Sequence, residues 1–118
     1  MRGYNMWESI YFSETELRKI SPLTTGIFII WLHDGANVLF VGYGDIRSRL
    51  RNLLTDLTLR RYKRKVVYVT YLISNIDNYR NLPRYCRYIQ DTYNSFYMEE
   101  EFNNFDPIQI RVVWDNFV

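Results

Sequence analysis

An α+β domain, with a small central antiparallel or mixed β-sheet flanked by helices, is the fold class this sequence predicts, and three patterns predict it. The stretch GIFIIWLHDGANVLFVG (26–42) is two short apolar runs around a polar break, the mark of a β-hairpin. Residues 46–57 and 82–93 carry apolar side chains at helical spacing. Residues 66–73, VVYVTYLI, are β-branched and aromatic, as strands favour.

Each element follows from local chemistry. Residues 1–12, with Met6, Trp7, Ile10, Tyr11 and Phe12, read as an extended segment packed on the domain. Ser13 can cap a short helix that ends before Ser21-Pro22, with Glu16 at the capping-box position. Thr25 to Leu32 and Val38 to Val41 are the hairpin strands, joined by an Asp34-Gly35 turn. Asp45 can cap a helix from Ile46 to about Leu57, whose stripe is Ile46, Leu50, Leu53, Leu54 and Leu57. Arg47 and Arg51 stand one turn apart off that stripe, and Arg49 lies at its edge.

Val66 to Ile73 is a third strand and Ser74 to Arg80 a loop. Pro83 suits the first turn of a helix reaching Tyr93, with Leu82, Tyr85, Cys86, Ile89 and Tyr93 along one side. Residues 94–106 read as irregular and acidic, and Pro107 to Trp114 as a last strand. With 118 residues, no repeat and no linker, the chain is expected to form a single domain over 1–118.

Composition narrows the chemistry. One cysteine, Cys86, allows no internal disulfide, and with one histidine, His33, it cannot supply a four-ligand zinc site. No apolar run is long enough to cross a membrane and no signal-peptide pattern is present, so a soluble, cytoplasmic protein with no membrane partner is expected. The formal net charge of +2 hides an asymmetry. Residues 43–65 hold eight basic residues, Arg47, Arg49, Arg51, Arg60, Arg61, Lys63, Arg64 and Lys65, against Asp45 and Asp56, a local +6. Residues 88–118 hold six acidic residues against Arg111, a local −5. A basic half of this density is the electrostatic footprint of a polyanion-facing side.

In this order, GIF (26–28), FVG (40–42), VGYGDIRSRL (41–50), the YCRYI helix and PIQIRVVW (107–114) resemble the GIY-YIG nuclease family, in particular a small stand-alone branch. The similarity spans about residues 20–114. It implies a site where the hairpin and the following helix meet, and an activity of phosphodiester hydrolysis. In such a site two tyrosines serve the hairpin, an arginine stabilises the developing phosphorane charge, a glutamate holds one divalent cation, and an asparagine orients its neighbours.

Carried over position by position, the tyrosines read Phe28 and Phe40, which have no hydroxyl. The arginine is Arg49. A histidine position one turn later reads Asn52, the glutamate position reads Cys86 and the asparagine position reads Arg111. A thiol suits a hard cation poorly, and Cys86 lies on an apolar stripe, so no metal or other cofactor is assigned. A second alignment, on EEEFNNFDP (99–107), offers Glu99 as a ligand for Mg²⁺ or Mn²⁺; the plainer reading of that run is a solvated acidic loop. Tyr43, directly after the second motif, could supply a hydroxyl or stack on a base.

The resemblance and the charge pattern together imply a nuclease-like domain with depleted catalytic positions, acting as a nucleic-acid-binding module. Arg47, Arg49, Arg51 and the basic run Arg60, Arg61, Lys63, Arg64 and Lys65 would face phosphates. The alternatives are a metal-dependent endonuclease using Arg49 and Glu99, and a protein-interaction module of the inhibitor or immunity type.

Overall fold

The computed structural model describes residues 7–32, 37–56 and 68–112. Four strands, β1 (Glu8–Tyr11), β2 (Thr25–Trp31), β3 (Val38–Asp45) and β4 (Tyr68–Ile73), form one sheet in the order β1-β4-β2-β3, antiparallel throughout. The helices are α1 (Glu14–Leu17), α2 (Ile46–Leu54) and α3 (Leu82–Tyr93), with 3₁₀ turns at Ile76–Asn81 and Glu100–Asn104. The α+β class is therefore as the sequence predicts. Among the described residues no helix is long and apolar enough to cross a membrane.

Both faces of the sheet are covered, which is why the central strand β2 is apolar at nearly every position. Phe28, Ile30 and Phe40 pack with Ile46 and Leu50 of α2 and Leu17 of α1. Ile27, Ile29, Val38 and Val41 pack with Leu82, Cys86 and Ile89 of α3. The β2–β3 register slips between Ile30 and Trp31, where Leu39 has no partner of its own. That bulge puts Leu39 and its neighbour Phe40 into the same core. The buried Trp31 indole donates to Thr70 Oγ1 at 2.9 Å, satisfying two polar groups in the interior.

The caps fall where the side chains dictate. Ser13 Oγ accepts from the Glu16 N–H, and Asp45 Oδ1 accepts from the Ser48 N–H at 3.1 Å. The Glu16 carboxylate reaches past the cap to the Tyr11 N–H instead of closing a capping box. Asn94 ends α3 in the left-handed conformation that asparagine tolerates.

Several sequence expectations need correction. From Trp7 on, the first segment is extended and packed on the domain as expected, and Glu8–Tyr11 goes further as an edge strand paired with β4, Tyr11 opposite Tyr68. The second hairpin strand runs on to Asp45, so Gly42, Tyr43 and Gly44 belong to the sheet. Residues 76–81 are a 3₁₀ turn where a loop was expected, and so are 100–104 within the expected irregular stretch. Residues 107–112 are not a strand. Their backbone is taken instead by helix α3 and the N-terminal segment: the Ile108 N–H donates to Arg84 O, and the Trp7 indole donates to Arg111 O. The outer edge of β3 is already occupied, because the Phe96 and Tyr97 N–H groups donate to Val38 O and Leu39 O. The Asp34-Gly35 turn, Leu57, Trp114 and the basic run Arg60, Arg61, Lys63, Arg64 and Lys65 lie outside the described residues.

Candidate functional site

The hairpin glycines are set by space. Gly26 lies opposite Gly44, and Phe28 lies opposite Gly42. A Cβ on Gly26 would stand 2.0 Å from the Leu72 carbonyl oxygen of β4. A Cβ on Gly42 would stand 2.5 Å from Phe28 Cζ, because the Phe28 ring lies across that glycine. Gly44 turns the chain with φ +119, a conformation L side chains rarely adopt, and hands it to the Asp45 cap of α2.

Over this turn stands Arg49. Its Nη1 donates to Tyr43 O at 2.8 Å, and its Cζ is 5.8 Å from the Phe28 ring centroid. Its Nη2 lies 3.9 Å from Glu99 Oε1, with both side chains part-exposed. Beside it, the Tyr43 hydroxyl donates to Glu101 Oε2 at 3.4 Å. Burial first, and then the Glu101 carboxylate, push the Tyr43 phenol above its usual range. Tyr43, Arg49, Glu99 and Glu101 thus converge from β3, α2 and the acidic segment.

The acidic segment is fastened. Gln90, fully buried on α3, accepts the Glu99 N–H on its Oε1 at 2.9 Å. Arg87 donates to the carbonyls of Asn103 and Phe105 and pairs with Asp91 at 2.7 Å. Phe102 is buried in the α3-side core. The plain solvated-loop reading of this run therefore understates its order.

The other aromatic positions go inside. Phe28 is 0% exposed and Phe40 stacks near it, with ring centroids 6.1 Å apart. Phe28 reaches the site only as the ring beneath Arg49, and Phe40 stacks against that ring. Cys86 is buried in the α3-side core, as its stripe predicts, and burial raises its thiol well above the usual range. Arg111 contributes its backbone carbonyl to Trp7, and its side chain is not among these groups. Among the described residues no group of three or more His, Cys, Asp or Glu side chains is placed to hold a metal ion. Glu99 and Glu101 are hard oxygen donors, but they form no protein cage for a cation.

The three arginines of α2 do not act as one set. Arg47 and Arg51 line an open groove of about 460 Å³ with Pro22, Leu23, Ser48 and Asn52, while Arg49 faces Tyr43 and Glu99. The sequence reading missed Glu101, Gln90 and Leu23. Gln90 had a signal, since it falls beside Ile89 on a helix whose apolar side is buried. Glu101 and Leu23 had none, because only the tertiary fold brings them to these places. In comparisons with known proteins, no family model, no curated protein and no solved structure matched this chain.

Proposed function

We propose that this chain is a GIY-YIG-nuclease-like domain whose hydrolytic groups are depleted and which binds nucleic acid through its basic side. One observation carries the reading. Arg49 is braced by Tyr43 O above Phe28, and that ring is fully buried and lacks the hydroxyl needed to activate water there. A fixed guanidinium at a sheet end suits phosphate contact. The +6 charge of residues 43–65 supports a polyanionic partner.

A second reading, a metal-dependent endonuclease with a rearranged site, is favoured by one distance, the 3.9 Å between Arg49 and Glu99. Tyr43, whose hydroxyl donates to Glu101, would then be the hydroxyl to test beside a phosphate on Arg49.

Retention on duplex and single-stranded oligonucleotides, followed against salt, tests the first reading. Binding should weaken with a log–log slope near −0.9 for each duplex phosphate neutralised. Absence of retention at low salt would sink it and favour a protein partner. A plasmid-nicking assay with and without chelator separates the second. Chelator-sensitive nicking that Arg49→Ala and Glu99→Gln both abolish would establish the endonuclease in its place.

A further inference from the structure

We propose that the groove between the Ser21–Thr24 turn and α2 is a nucleotide subsite, in which Arg47 and Arg51 hold one phosphodiester of a nucleic-acid strand and Leu23 lies against the adjoining sugar or base. This rests on the nucleic-acid reading above and names where on this chain the strand is held.

The groove is an open depression of about 460 Å³ whose lining offers chemistry for that unit. Pro22 and Leu23 make one wall; Arg47, Ser48, Arg51 and Asn52 make the other. These polar side chains are donors suited to phosphate oxygens. The one carboxylate in the lining, Asp45, is engaged with the Ser48 N–H as the α2 cap. Arg51 pairs with Glu14 at 3.4 Å, both side chains about half exposed. A pair that exposed is weak and readily exchanged for a phosphate.

Leu23 is the independent observation. It is 88% exposed, so it buries almost nothing in the fold. It also holds φ +63, a left-handed conformation disfavoured for leucine. Pro22 followed by a positive φ is the order of a type II turn, where glycine is preferred at the position Leu23 fills. The fold gains little from that side chain, and strained residues cluster at ligand sites. An apolar side chain beside two guanidinium groups matches an anion with an apolar neighbour, which is what each nucleotide of a strand presents. Arg47 and Arg51 line this groove, whereas it is Arg49 that meets Glu99 of the acidic segment.

The test is fluorescence anisotropy with a short labelled oligonucleotide, single-stranded and duplex, at low salt, using the whole chain. Arg47→Ala should weaken binding by about tenfold and make the salt slope shallower by about one. Leu23→Gly and Leu23→Asn should each weaken it by about fivefold or more while the melting temperature stays level or rises, because both residues accept a positive φ. A nucleoside monophosphate should compete poorly and inorganic phosphate more poorly still. Unchanged affinity in Arg47→Ala and both Leu23 variants, with tight wild-type binding, would overturn the groove and leave the nucleic-acid reading standing. A monophosphate binding as tightly as the oligonucleotide would overturn the strand as the ligand. No binding by wild type would overturn both.

Discussion

The Phe28 ring occupies the space that a side chain on Gly42 would need, directly across the β2–β3 ladder. Gly42 is therefore a mould for the ring, and the ring in turn is the floor under Arg49. Stability and site geometry share this one contact.

Gly42→Ala should cost about 1–3 kcal/mol, since Phe28 is sealed on all sides and cannot rotate away freely. In a Phe28→Leu background the same change should cost less. Denaturant melts of the four species form a double-mutant cycle. Equal costs in both backgrounds would show that the ring does not fill that space.

Gly26→Ala should be worse than Gly42→Ala. The new methyl would meet the Leu72 carbonyl oxygen, which belongs to the backbone of a paired strand and has no rotamer to change. A melting temperature within a few degrees of wild type would contradict this.

Cys86 should behave as a small apolar core residue. Thiol labelling of the native protein should be slow at neutral pH, because burial raises the thiol and hides it. Cys86→Ala should cost about 1 kcal/mol. Cys86→Glu should be strongly destabilising, since it buries an acid in an apolar cluster. Rapid labelling without unfolding would place the thiol outside the core.

Tyr43, Tyr71 and Tyr93 all have phenols raised mainly by burial. Each ionises at higher pH in the folded state than in the unfolded chain. Its contribution to stability is complete below an unfolded phenol value of about 10 and is lost as pH rises through the folded value. A spectroscopic alkaline titration should show late-ionising tyrosines, and Tyr43→Phe should remove one of them. Glu101→Gln should bring the Tyr43 transition down, because it removes a carboxylate beside the phenol.

Gln90→Leu should loosen the acidic segment without unfolding the sheet. The Glu99 N–H would lose its acceptor, and Glu99 would no longer be held towards Arg49. Amide exchange at Glu99 should accelerate while β2 exchange stays slow. Coordinate acceleration in both would mean that Gln90 supports the whole core.

What was legible in the sequence was whatever depends on nearest neighbours. The Asp45 and Ser13 caps, Pro83 at the start of α3 and the Cys86 stripe need only a few residues of context. What was hidden depends on distant partners. PIQIR looks like a strand by composition, yet Arg84 O takes the Ile108 N–H and the Trp7 indole takes the Arg111 carbonyl. Glu100 and Glu101 are exposed, as the acidic run suggested, but the approach of Glu99 to Arg49 and of Glu101 to Tyr43 depends on the fold. Helical spacing did set Arg49 apart from Arg47 and Arg51, but not what it meets: Tyr43 O and Glu99 are supplied by the tertiary fold.

The sheet order carries a kinetic consequence. β4 is the last of the four strands to be synthesised, yet it lies in the middle, between β1 and β2. Until it emerges, β1 has no partner and the β2–β3 hairpin carries a bare inner edge rich in isoleucine. Local pairing can complete the hairpin early, but closure of the sheet waits on a contact as distant as Tyr11 with Tyr68. The nascent chain is thus most vulnerable to strand-mediated association in the interval before residue 73 leaves the ribosome.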